Sequence, residues 1–203
     1  MTIDTSTGCA NRGVAVPTRP RVRNLGRPHD RIALVFPSDL GWMAAVWHAD
    51  RLNRLAFGLA NRREALVATN EEKASAPGSW GRLHRGFVER MQSVAAGDAD
   101  DLGDIVVDLD DRTDFQRLVL DQCRKIPRGT VRTYAELARL AGHAGSARAV
   151  GNVMATNRVP LVIPCHRVIG SGGKLGGFSA PQGLAMKVRL LEMEGARSVP
   201  TPR

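Results

Sequence analysis

The sequence predicts two parts: a small α/β domain with an antiparallel sheet over residues 31–110, and a mostly α domain built on a helix-turn-helix over residues 111–196. Three observations carry that prediction. Apolar runs of strand length, separated by turn residues, fill the first part. Apolar residues recur at helical spacing in the second. The charge changes sign between them: residues 31–110 hold nine basic and twelve acidic residues, and residues 111–203 hold fifteen and six.

Before these parts, residues 1–30 carry Pro17, Pro20, Pro28 and five Arg without periodicity, and read as a flexible basic arm. Residues 197–203 read as a tail. Ile32-Ala33-Leu34-Val35-Phe36 is the first strand. Gly41-Trp42-Met43-Ala44-Ala45-Val46-Trp47 is the second, after a Pro37-Ser38-Asp39 turn, and residues 52–59 are a candidate third. Helical spacing follows at residues 63–69 and 83–95. Residues 97–103 form an acidic loop, and Ile105-Val106-Val107 is a candidate edge strand. No cluster of reactive side chains appears in this part.

In the second part, Thr113 or Asp114 caps a helix whose apolar face is Phe115, Leu118, Val119, Cys123 and Ile126. Cys123 lies on that face, so a buried structural role is preferred for it. Pro127-Arg128-Gly129 ends the helix. Thr133 caps a short helix over residues 134–141, with Leu137 and Leu140 inward. Gly142-His143-Ala144-Gly145 is a tight turn, and Ser146 starts a helix over residues 147–155 with Val150, Val153 and Met154 apolar. Two short helices joined by a glycine-bearing turn form a helix-turn-helix. The second helix is small on its surface, at Ala147, Ala149 and Gly151, and carries one long cation, Arg148.

Composition narrows the function classes. The net charge is +9, and its concentration in the C-terminal half suits a polyanionic partner; a solvated basic surface is the other reading, and charge alone leaves both open. No run of about 18 apolar residues predicts a membrane span, and the polar N-terminus lacks the apolar core of a secretory signal. A cytoplasmic location, nuclear in a eukaryote, is expected. Three cysteines at wide spacing, Cys9, Cys123 and Cys165, fit neither a disulfide framework nor a zinc knuckle.

Chemistry concentrates in Val159-Pro160-Leu161-Val162-Ile163-Pro164-Cys165-His166-Arg167-Val168. A thiol, an imidazole and a guanidinium stand in consecutive positions. Cysteine reacts as its thiolate, which nearby cations favour, and a histidine can take the thiol proton. Neighbours on a strand point to opposite faces, so Cys165 and His166 cooperate only where the chain turns after Pro164. A buried Cys followed by His, taken alone, is more often structural.

The passage as a whole resembles the O6-alkylguanine-DNA alkyltransferase family, whose Pro-Cys-His-Arg-Val signature stands here at Pro164-Cys165-His166-Arg167-Val168. The similarity runs from Phe115-Gln116 through Gly129-Thr130-Val131-Arg132-Thr133-Tyr134 and Ala147-Arg148-Ala149-Val150-Gly151 to Leu190-Leu191-Glu192-Met193-Glu194-Gly195. It covers residues 111–195, with a looser match before them through the strand pattern and Phe57-Gly58.

The resemblance implies a ribonuclease-H-like N-terminal domain, a winged-helix-like C-terminal domain, a monomer and no cofactor. The partner it implies is double-stranded DNA carrying O6-alkylguanine, bound through the minor groove. Cys165 is then the irreversible acceptor of the alkyl group, with O4-alkylthymine a further candidate substrate. His166 acts as its base through a water and Glu194 orients the imidazole, which should depress the Cys165 pKa. A Glu near a helix C-terminus is disfavoured by the helix dipole, so a partner elsewhere is a reasonable explanation for Glu194. Arg148 replaces the flipped guanine, flanked by Ala147, Ala149 and Gly151, with Tyr134 and Thr133 completing the DNA contacts. Asn157 holds the turn into the active-site strand. Met154, Pro160, Val168, Phe178 and Ser179 line the base pocket, and Arg167 is a structural salt-bridge partner.

The sequence departs from the family where Phe178-Ser179-Ala180-Pro181-Gln182-Gly183-Leu184 is about two residues longer than its usual loop. The family's structural zinc is unsupported, since Cys9 stands without ligand-spaced partners and His29, His48 and His84 read as surface residues. A Cys-rich regulatory module is missing as well. The alternatives are a non-enzymatic sensor of alkylated DNA, a helix-turn-helix regulator and a Cys hydrolase. An intact Cys165 disfavours the first. A recognition helix without base-reading polar residues disfavours the second, and the lack of an oxyanion-hole signal the third.

Overall fold

The computed structural model describes residues 31–196; the expected arm with Cys9 and His29, and the tail, lie outside the described residues. Three strands, β1 (Arg31–Phe36), β2 (Trp42–His48) and β3 (Arg51–Leu59), form an antiparallel meander with β2 in the centre. Along β2 alternate side chains point to opposite faces. Met43, Ala45 and Trp47 enter the main core, while Ala44 packs with Leu59 and Ala65 of α1 (Arg62–Ala68). Both faces are covered, so β2 shows no polar alternation. Helix α2 (Arg82–Ala96) packs on the main-core face, where Phe87 meets the Trp47 ring edge-on at 5.1 Å.

Two expectations for this part need correction. Ile105-Val106-Val107 is no strand: a single parallel bridge joins Val107 to Leu52. The chain turns away immediately, because the Asp108 carboxylate accepts the backbone N–H of Asp110 and the Asn53 amide. His84 is not on the surface. It is buried against Trp47, edge-on at 5.4 Å, and burial lowers its pKa. His48 is at the surface, beside Asp108.

The second part starts at α3 (Asp114–Arg124), where Thr113 and Gln116 close a reciprocal capping box. Thr133 and Glu136 do the same for α4 (Tyr134–Leu140). Helix α5 (Ala147–Ala155) follows the turn and packs on α4, giving the expected helix-turn-helix, although the Ser146 hydroxyl makes no capping bond. Leu118 and Leu140, expected inward, are exposed; Leu120 and Ala138 take the buried positions. In α6 (Leu184–Met193) the inward face is Met186, Lys187, Leu190 and Leu191, whereas Leu184 is exposed and Val188 half-buried. A two-residue parallel pair, β4 (Arg132–Thr133) and β5 (Val168–Ile169), ties the head of α4 to the segment after Cys165. One continuous apolar core runs from the sheet through α2 and α3 to α6.

Candidate active site

The segment between α5 and Cys165 is a turn rather than the expected strand. Asn157 holds it at two points: its side-chain amide donates to the Ile163 carbonyl at 2.9 Å, and its Oδ1 accepts from the Val159 N–H at 3.1 Å. Between these anchors Leu161, buried, has φ of 70°, a left-handed conformation that a branched side chain enters only under constraint. Leu55 of β3 donates to the Arg158 carbonyl at 2.8 Å, so the sheet also supports the turn. Pro164 then opens a single 3-10 turn, Cys165–Arg167. That supplies the change of direction that cooperation between Cys165 and His166 requires.

All three side chains of the turn are buried. The His166 Nε2 lies 2.9 Å from Glu194 Oε1. Glu194 caps the C-terminus of α6, and Arg167 grips it bidentately, Nε to Oε2 at 2.9 Å and Nη2 to Oε1 at 2.7 Å. The remaining Arg167 nitrogen, Nη1, donates to the Ile126 carbonyl at 2.6 Å. Burial alone would raise the Glu194 pKa, but hydrogen bonds from His166 and Arg167 outweigh it and hold the group at about 2. The carboxylate at the wrong end of its helix is thus fully partnered. Arg167 is its ion-pair partner, as expected.

Burial pushes the His166 pKa down against the pull of Glu194. A neutral imidazole facing a carboxylate must donate from Nε2. Nδ1 then keeps its lone pair, and that buried atom has no protein partner. A base with one fixed N–H and one free lone pair is what proton abstraction requires.

The thiol differs from the expectation. Burial raises the Cys165 pKa, and the Asn157 side chain and the Lys187 charge offset this only in part, so the group rests as a neutral thiol rather than a thiolate. Lys187 was not singled out by the sequence. It is buried on the inner face of α6, donates to the Val168 carbonyl at 2.6 Å, and has its pKa lowered by burial to about 8. Cys123 is buried as expected and its pKa is pushed well up.

The other residues fall on two surfaces. On α5, Arg148 and Ala149 are exposed and Ala147 and Gly151 half-exposed, opposite buried Val150, Val153 and Met154. Among the described residues Arg148 has no ion-pair partner, and a Cβ at Gly151 would meet nothing within 4 Å. Internal packing therefore does not require that glycine. Thr133 uses its hydroxyl in the α4 cap, accepting from the Glu136 N–H. Tyr134 is half-buried, and its hydroxyl lies so close to Gly176 that a Cβ there would collide with it. Of the expected pocket residues, Met154 and Val168 are buried, Pro160 and Phe178 half-buried, and Ser179 is exposed, with its hydroxyl 3.4 Å from the Ala155 carbonyl.

Fold and site together define a protein class: a buried Cys–His–Glu constellation packed directly behind a helix-turn-helix. Residues 114–196 match the family model of the 6-O-methylguanine DNA methyltransferase DNA-binding domain. The chain is 36% identical over 143 residues to the methylated-DNA–protein-cysteine methyltransferase of Methanosarcina acetivorans, covering 68% of this chain and 90% of that protein. It is 50% identical over 90 residues to the same-named protein of Methanothermobacter thermautotrophicus, covering 44% and 49%. Among solved structures it is similar to the Mycobacterium tuberculosis OGT in complex with DNA, with a TM-score of 0.64, 32% identity, and coverage of 81% of this chain and 92% of that one. The chain belongs to the methylated-DNA–protein-cysteine methyltransferase family.

Proposed function

We propose that the protein repairs DNA by direct reversal, taking the alkyl group of O6-alkylguanine irreversibly onto Cys165. The observation that carries the assignment to Cys165 is the buried arrangement beside it, in which His166 Nε2 lies 2.9 Å from Glu194 Oε1 and Nδ1 has no protein partner. In the reaction the thiol proton passes through a water to Nδ1, and the sulfur attacks the alkyl carbon in line. A carbon–sulfur bond forms as the bond from carbon to O6 breaks. The electron pair stays on guanine, which regains a proton, and the S-alkyl cysteine is not turned over. Cys165 is intact, so acceptor chemistry is favoured over a sensor that only binds alkylated DNA.

The DNA-facing surface follows from α5. The small residues Ala147, Ala149 and Gly151 let its backbone approach the minor groove, and Arg148 fills the space left by the flipped guanine. Tyr134 contacts the target nucleotide, with Thr133 beside it. Met154, Pro160, Val168, Phe178 and Ser179 enclose the base, and Asn157 keeps Cys165 in line with it. The likeness to the family supports a ribonuclease-H-like domain over residues 31–110, a winged-helix-like one over 111–196, and a monomer acting in the cytoplasm. Among the described residues no helix is long and apolar enough to cross a membrane.

The test is intact mass after mixing with duplex DNA containing O6-methylguanine. One equivalent should add one methyl, mapped to Cys165, and a second should stay unrepaired. Turnover beyond one equivalent, or methylation at Cys123, would refute the assignment.

A further inference from the structure

The segment that brings Phe178 and Ser179 to the proposed alkyl pocket is held from outside as well as from within. It leaves the 3-10 turn Ser171–Gly173, passes under the Tyr134 hydroxyl at Gly176, and enters α6 at Gly183, whose φ is +55°. Between those ends it has no regular secondary structure apart from a turn at residues 180–183. Two contacts join it to β3. The Phe178 ring meets Phe57 edge-on at 6.3 Å, and the Gln182 side chain donates from Nε2 to the Gly58 carbonyl at 2.6 Å. The amide lies so close over Gly58 that a Cβ there would stand 2.7 Å from its oxygen.

Outside this contact is open space. A cavity of about 400 Å³ lies between β3 and α6, with Leu40, Leu59, Ala185 and Met186 on its walls. Pro181 and Gln182 themselves form part of its lining. Protein interiors are close-packed, and a side chain displaced into one must deform its neighbours. This segment is different, because outward movement at Pro181 and Gln182 enters space that already exists. Its first half is fixed under Tyr134, and its second half is joined to α6 through a glycine with positive φ. The hydrogen bond to Gly58 is the polar tie to β3 that opposes such movement, and the longer contact of the Ser179 hydroxyl with the Ala155 carbonyl faces α5 instead.

We propose that Gln182 is a specificity-determining latch: its bond to the Gly58 carbonyl sets how far the Phe178–Ser179 segment retreats into the β3–α6 cavity, and so how large an alkyl group Cys165 accepts. The proposal rests on the reading of Cys165 as alkyl acceptor. A methyl group fits with the latch closed. A bulky aromatic alkyl group requires the segment to withdraw, and the latch opposes it. Gln182 touches neither the thiol nor its relay, so it acts by positioning.

The test compares single-turnover transfer from duplex DNA containing O6-methylguanine or O6-benzylguanine. In Gln182→Ala the methyl rate should stay within about twofold of the unsubstituted protein. The benzyl-to-methyl ratio should rise on the order of fivefold, as loss of one neutral hydrogen bond allows. Ala185→Phe, which fills the cavity from α6, should lower the ratio by itself and cancel the gain when combined with Gln182→Ala. Methyl transfer with an unchanged ratio in both single variants overturns the latch alone. Equal losses of both rates also overturn it, since Gln182 would then serve the fold of the site. Absence of methyl transfer by the unsubstituted protein overturns the acceptor reading, and the latch with it.

Discussion

Replacing Glu194 by Gln separates the structural from the chemical part of the relay. Glu194 is held at about 2 against its ordinary value of 4.5. A shift of about 2.5 units corresponds to roughly 3 kcal/mol, favouring the ionised form in the folded protein. A carboxyl whose pKa is lower folded than unfolded stabilises above its unfolded value. That contribution should therefore be complete at neutral pH and drain away as pH falls from about 4.5 to about 2. Glu194→Gln should lose about 3 kcal/mol at pH 7, because it leaves the buried Arg167 cation with the Ile126 carbonyl as its remaining partner of those it holds now. It should also slow methyl transfer by about 10²-fold, the lower end of what a positioned base contributes. The double variant Glu194→Gln with Arg167→Met removes the stranded cation and should recover most of the stability without recovering the rate. Denaturant unfolding and single-turnover transfer read the two quantities. If the double variant recovers both, Glu194 acts only by holding the fold. If the single variant transfers within a factor of two of wild type, the relay is wrong.

Arg148→Ala should reduce repair of duplex DNA sharply while leaving reaction with free O6-benzylguanine almost unchanged, and Arg148→Lys should recover only part of the duplex rate; equal losses on duplex and free base would place Arg148 in the structure of the domain. Lys187→Met should raise the thiol pKa further and slow transfer about tenfold at neutral pH for each unit of that rise, with the deficit shrinking as pH approaches the thiol's own range. A deficit equal at every pH would show that Lys187 acts only in packing α6.

Much of this was readable beforehand, for reasons that differ by element. The sheet was readable because β2 is covered on both faces, so its sequence is an uninterrupted apolar run. Glu194 came from the resemblance; its place at a helix C-terminus, where a carboxylate is disfavoured, only agreed with a partner elsewhere, and it has His166 and Arg167. Lys187 was missed because a lysine is assumed to face solvent. The signal was present, since Leu190 and Leu191 lie three and four residues on, which places Lys187 on their face. Leu118 and Leu140 were misplaced because periodicity selects a stripe but not its centre, and Leu120 and Ala138 sit closer to it. The β4–β5 pair has two residues on each side, too few for any pattern to show. The resting state of Cys165 was unreadable, because neighbouring cations predict a thiolate and only burial, a property of the fold, reverses that.

That reversal suits an acceptor spent by one transfer. A thiolate present at rest would be lost to any soluble oxidant or electrophile that reached it. Burial keeps Cys165 protonated, so in the proposed reaction the nucleophile forms as its proton moves to His166. The move creates two charges, a thiolate and an imidazolium, inside the protein. Glu194 is already ionised and 2.9 Å from the imidazole, so the imidazolium meets a carboxylate. Arg167 neutralises that carboxylate at rest, which leaves Lys187 as the buried cation whose field favours the thiolate. Both charges therefore appear among fixed groups: Lys187 favours the thiolate, and Glu194, shared with Arg167, favours the imidazolium, which limits the solvent reorganisation needed. The same pairing explains why a lysine remains buried with its pKa lowered to about 8: its compensation is completed only when Cys165 ionises.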